Sequence, residues 1–147
     1  MHIQNHICSC NKCQKDVRDK ILTGSGAKTT YKIFNHPDRY QLSKIIVDDC
    51  LLKTLDRSEK CDYLFLVKET NQAYFIECKG SDVLKAVGQL DATVNILEKE
   101  LKDHSFFGRI IATRTYSPDI KDKRYKDLYK KLKGNLITKN IQYQDHL

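Results

Sequence analysis

The sequence predicts a mixed α/β fold in which helices flank a central sheet, on three observations. Three apolar runs rich in β-branched and aromatic residues follow one another between positions 43 and 79. After Gly80 the apolar spacing changes from every second residue to every third and fourth. A further apolar run from Phe106 then follows at the distance of a strand–helix–strand crossover.

Taken in order, Ser43–Leu52, Lys60–Lys68 and Ala73–Lys79 read as strands, with a turn at Asn35-His36-Pro37-Asp38 before them. The polar Glu69-Thr70-Asn71-Gln72 is a connection of hairpin length, so the three strands predict an antiparallel meander. Val83, Val87, Leu90, Val94 and Leu97 then place a helix over residues 82–101, with the Ser81 hydroxyl available as N-cap. Phe106–Thr115, around Arg109-Ile110-Ile111-Ala112-Thr113, reads as a buried strand parallel to the one before the helix. Pro118 opens a second helix over 119–133, whose stripe is Tyr125, Leu128, Tyr129 and Leu132 and whose stop is Gly134. Leu136–Tyr143 completes the set as an edge strand, while the Cys-rich first 30 residues carry no clear period.

The 147 residues suit a single domain, and 40% hydrophobic with 31% charged residues is ordinary globular composition. No stretch reaches the roughly 18 apolar residues of a membrane span, and residues 1–13 lack the apolar core of a secretory signal, so a cytoplasmic protein without a membrane partner is expected. Lys and Arg number 26 against 19 Asp and Glu, a net +7 that suits a polyanionic partner such as nucleic acid. Much of the excess lies in the basic C-terminal helix plus strand, residues 119–147.

Alternation along the third strand puts Glu77 and Lys79 on one face at its carboxyl end, and antiparallel pairing brings Asp62, at the mouth of the preceding strand, beside them. Two carboxylates are what Mg²⁺ or Mn²⁺ takes while keeping waters and accepting phosphate oxygens, and an adjacent ammonium neutralises phosphoryl charge. The spacing of Glu77 and Lys79 recurs in Glu100-Leu101-Lys102 and, with Asp, in Asp119-Ile120-Lys121, but those fall on helices. The context of an apolar strand end, a preceding acidic strand and a following helix distinguishes Glu77-Cys78-Lys79.

Asp62, the step of fifteen residues to Glu77, then Lys79, Gly80 and a helix bearing Gln89 resemble the core of the PD-(D/E)xK nuclease superfamily, shared by many restriction endonucleases and Holliday-junction resolvases. The resemblance spans Ser43–Thr115 and implies a restriction-endonuclease-like αβββαβ core. It implies that Asp62 and Glu77 are metal ligands, that Lys79 is the catalytic lysine, and that Gln89 belongs to the helix motif of some branches. Cys61 stands where the superfamily has its proline, and Thr93 where that helix motif has tyrosine. The upstream acidic ligand of many branches has Asp48, Asp49 and Glu59 as candidates, of which strand alternation selects Asp49. Small members often act as dimers, which makes a homodimer an expectation.

Lys85 and Gln89, four apart on the first helix, are placed to reach a phosphate or an attacking water, or else are solvated. Arg114 and Arg124 are further candidate phosphate contacts. Cys8, Cys10 and Cys13 are candidate Zn²⁺ ligands, for which His6, His2 or a distant cysteine could serve as the fourth, uncoordinated thiols being the alternative, while Cys50, Cys61 and Cys78 sit in apolar runs as small hydrophobes. The sequence thus predicts a Mg²⁺-dependent endonuclease acting on DNA, against the alternative of a catalytically inactive nuclease-fold module that binds nucleic acid or protein.

Overall fold

The computed structural model of the chain describes residues 12–26, 28–37, 40–52 and 60–147, the Asp49 side chain excepted. Strands β1 (Gln14–Val17), β2 (Ile21–Ser25), β3 (Thr30–Phe34) and β4 (Leu42–Ile46) precede a π-helical turn, Val47–Leu51. Then come β5 (Tyr63–Val67), β6 (Gln72–Lys79), α1 (Val83–Leu97), β7 (Ser105–Ala112), α2 (Ser117–Lys121), α3 (Lys123–Lys131), β8 (Leu136–Asn140) and β9 (Gln142–His146). These form a mixed α/β fold with a six-stranded sheet in the order β1-β4-β5-β6-β7-β8 and a three-stranded sheet in the order β2-β3-β9.

Within the larger sheet β4, β5 and β6 are the antiparallel meander, and β7 returns across α1 to run parallel to β6. Alternation divides β6 between two cores. Ala73 and Phe75 face a cluster built with Val83, Val87, Leu90 and Val94 of α1 and Leu128 of α3. Tyr74, Ile76 and Cys78 face the other way, onto Leu22, Tyr31 and Ile33 of the smaller sheet. The larger sheet is thus covered by helices on one face and by β2-β3-β9 on the other.

Four expected elements differ. The strand expected over Ser43–Leu52 ends at Ile46, and a π-helical turn follows, closed by Leu52 N–H donating to Val47 O at 2.9 Å. Val47, Cys50, Leu51 and Leu52 are all buried, and the adjacent Asp48 and Asp49 between them interrupt the alternation without setting a helical period that would separate strand from turn. The helix expected over 119–133 is two, because Asp122 leaves helical geometry at ψ 146° and its carboxylate accepts from Arg124 N–H as the cap of α3. The first helix is capped by Asp82, which accepts from Lys85 N–H, and not by Ser81.

The strand expected over Leu136–Tyr143 breaks at Ile141, whose φ is 70°. Ile141 N–H donates to Ala112 O of β7 at 2.8 Å, and its carbonyl accepts from Thr30 N–H at 2.9 Å. One residue therefore hands the chain from the larger sheet to the smaller. Among the described residues no helix is long and apolar enough to cross a membrane.

Candidate active site

The site is assembled where β5 begins and β6 ends. Asp62 N–H donates to Ile76 O at 3.1 Å, continuing the β5–β6 ladder, and Asp62 O accepts from Val47 N–H at 3.0 Å. With its backbone held on both sides, Asp62 turns its carboxylate to the end of β6, where Oδ2 accepts from Cys78 N–H at 2.9 Å. Cys78 lies between Glu77 and Lys79, so the three residues picked out by spacing converge on one cleft. That cleft, about 550 Å³, is lined by Asp48, Asp62, Glu77, Lys79, Gln89 and, from the tip of the β2–β3 hairpin, Lys28.

Glu77 is the most sheltered of these charges, at 2% exposure. Its Oε2 stands 3.8 Å from Lys79 Nζ, whereas its Oε1 is buried with no hydrogen-bond partner. Burial, with the negative charge of Asp62 beside it, pushes the Glu77 carboxyl up to about 8, and Lys79 only partly offsets this. A carboxylate oxygen buried without a donor is costly, and a cation in the cleft relieves it. Burial also pushes the Cys78 thiol up to about 12 and the Cys61 thiol well above its ordinary value, which leaves neither as a nucleophile near neutral pH.

Behind the carboxylates lies a set of contacts that sequence reasoning missed. Lys60, 5% exposed, places its ammonium 3.1 Å from Asp48 Oδ1 and donates to the carbonyls of Asp48 and Leu52 at 2.9 and 3.2 Å, satisfying the end of the π-helical turn. Gln89 is buried and its Nε2 donates to Lys60 O at 3.3 Å. The two departures from the nuclease pattern meet one another: Cys61 N–H donates to Thr93 Oγ1 at 2.8 Å, and that hydroxyl donates to Gln89 O at 2.7 Å. A proline at position 61 would have no N–H to give.

Other sequence candidates lie elsewhere. Lys85 is exposed and does not line the cleft. Arg114 is exposed and donates to Tyr116 Oη at 3.1 Å, and Arg124 forks onto Asp122 at 2.9 and 3.0 Å, so its guanidinium serves its own helix cap. The parity that selected Asp49 fails because residues 47–51 are not a strand; the Asp49 side chain lies outside the described residues, and Asp48 is the residue of this turn that lines the cleft. Cys8 and Cys10 also lie outside them. Cys13 packs against the core, and its Sγ accepts from Ile46 N–H at 3.3 Å. Cys50, expected as a buried free thiol, is disulfide-bonded instead.

Among the described residues no group of three or more His, Cys, Asp or Glu is arranged to hold a metal ion. The pair Asp62 and Glu77 nonetheless suits a hard divalent ion, which takes one or two protein carboxylates and fills its other positions with water and substrate oxygens. The orphaned Glu77 Oε1 supplies the free lone pairs such an ion would use. A scan of protein-family models finds no match to this chain, and searches of curated proteins and of solved structures find none either.

Proposed function

We propose that this chain is a divalent-metal-dependent nuclease that hydrolyses phosphodiester bonds in DNA, built on a restriction-endonuclease-like core. The observation that carries the reading is Glu77: buried carboxyl oxygens beside a second carboxylate, one of them unpartnered, with an ammonium 3.8 Å from the other. A structural ion pair at a sheet edge needs no unsatisfied oxygen, whereas a site awaiting a cation and a phosphate does. The antiparallel β4–β5–β6 meander followed by α1 and a parallel β7 supports the same reading, since it matches the βββαβ part of the αβββαβ order that the resemblance implies, although among the described residues strands β1–β3, and not a helix, precede it.

A bound Mg²⁺ or Mn²⁺ would polarise the phosphoryl oxygen and lower the pKa of its water. Asp62 and Glu77 would hold it, Asp62 already oriented by Cys78 N–H. Lys79 sits at the lip of the cleft with its Nζ toward Glu77, where an ammonium neutralises charge developing on the phosphate and orients the attacking water. Gln89, fixed through Lys60 O, forms the back wall.

Incubation with plasmid, linear, branched and single-stranded DNA, with and without Mg²⁺ or Mn²⁺, tests the reading. Metal-dependent cleavage is expected, and Glu77→Gln and Lys79→Ala should each lower kcat by about 100-fold or more, the scale of losing one electrostatic element of a transition state. Unchanged circular dichroism would show that the fold persists. Nucleic-acid binding without cleavage by the wild type, together with no thermal shift on adding Mn²⁺, would replace this reading with a non-catalytic binding module; cleavage surviving both substitutions would place the active site elsewhere.

A further inference from the structure

The tip of the β2–β3 hairpin reaches round the end of β6, and its contacts fix it there. Gly24 stands so close to Tyr63 that a Cβ would lie 2.8 Å from the ring, and at Gly26 a Cβ would lie 3.0 Å from Cys78 O and 3.1 Å from its Cβ. Tyr63 Oη donates to Ser25 O at 2.8 Å and accepts from Ser25 N–H at 3.3 Å, so the strand that follows Asp62 also braces the tip. Gly26 N–H donates to Thr29 O at 2.9 Å, closing the turn, and Thr29 is 3% exposed. The backbone is thereby anchored on either side of Lys28.

Lys28 itself is exposed, lines the cleft, and enters no ion pair among the described residues. The cleft it faces holds three carboxylates, those of Asp48, Asp62 and Glu77. Lys79 is drawn to Glu77 and Lys60 to Asp48, which leaves Lys28, among the described residues, as the lining cation not engaged by a carboxylate of the cleft. An anionic backbone approaching this acidic floor needs such a charge beside the reacting phosphate.

We infer that the β2–β3 tip adds a phosphate subsite to the cleft, in which Lys28 holds a phosphodiester oxyanion of the bound strand next to the one being cut. The inference rests on the nuclease reading above and assigns a positioning role, with Lys79 left to the chemistry. The chemical class of ligand is the nucleic-acid backbone, recognised without reference to base.

Fluorescence anisotropy of a labelled DNA oligonucleotide, in EDTA so that nothing is cut, tests it over a salt series from about 50 to 200 mM. Lys28→Ala should weaken binding and reduce the slope of log Kd against log salt by about 0.7–0.9, the loss of one phosphate contact. Lys28→Arg should restore the slope, and Gly26→Ala, which pushes the tip off Cys78, should weaken binding with Lys28 intact. In cleavage assays the Lys28→Ala loss should fall on KM more than on kcat. Wild-type binding with a slope that Lys28→Ala leaves unchanged would overturn the subsite alone. A wild-type chain that binds no DNA in EDTA and cleaves none with Mg²⁺ or Mn²⁺ would overturn the nuclease reading beneath it.

Discussion

Glu77 is an acid whose charged form the metal-free fold does little to help. Its carboxyl is raised from the ordinary 4.5 to about 8 by burial and by Asp62. Below the lower value the folded and unfolded chains are both protonated at this site. Between the two values the unfolded chain has released a proton that the folded chain keeps, so stability falls as pH rises across that window, by about 1.4 kcal/mol per unit where the difference is complete. Denaturant melts of the metal-free wild type at about pH 5, 7 and 9 should show this decline, and Glu77→Gln should flatten it and be the more stable protein at the alkaline end. Parallel pH profiles for the two proteins would refute the assignment. Asp62, Glu77 and Lys79 were legible in the sequence because strand parity and hairpin pairing bring such positions together by short-range rules. Lys28 and Lys60 were not, since each meets the site through backbone whose path no local period encodes.

Helix α1 and strand β5 are tied by the Cys61–Thr93 hydrogen bond, which runs on through the Thr93 hydroxyl to Gln89 O. Thr93 is fully buried, so Thr93→Val keeps its shape but leaves Cys61 N–H without an acceptor. A loss of about 1–3 kcal/mol in denaturant unfolding is expected, with Thr93→Ser closer to wild type. Equal stability of Thr93→Val and wild type would mean that the bond contributes nothing to holding the helix on the sheet. The same scale separates what the sequence encoded locally from what it did not. Strands β4 to β7 and helix α1 each carry a period or an apolar run bounded by turn residues, so they were legible. The π-helical turn was hidden because Val47-Asp48-Asp49-Cys50-Leu51 follows neither period, and the division of α2 from α3 depends on Asp122 choosing to cap Arg124 N–H over continuing a helix.

Across the whole molecule, the two sheets are joined by a buried ion pair. Arg109 of β7 donates from Nε to Asp145 Oδ2 of β9 at 2.7 Å, and from Nη1 to the carbonyls of Gly108 and Asn135. Tyr31 of β3 donates its hydroxyl to the same Asp145 oxygen at 2.6 Å. Asp145→Ala strands the Arg109 guanidinium, 6% exposed, and should cost about 3–5 kcal/mol in unfolding free energy. A cost below about 1 kcal/mol, the scale of an exposed pair, would show that solvent reaches Arg109 and that the sheets are not clasped there. The second sheet escaped sequence reasoning because its contacts are remote: Tyr31 and Asp145 are 114 positions apart, and β3 finds its parallel neighbour only at β9. That distance also orders events in time. A lone two-stranded hairpin is marginal in water, so β2 and β3 gain a third strand only when residues 142–146 have emerged and passed the turn at Ile141. The face of the larger sheet that carries Tyr74, Ile76 and Cys78 therefore waits uncovered until the last strand is in place, and the hairpin wall bearing Lys28 is seated only then.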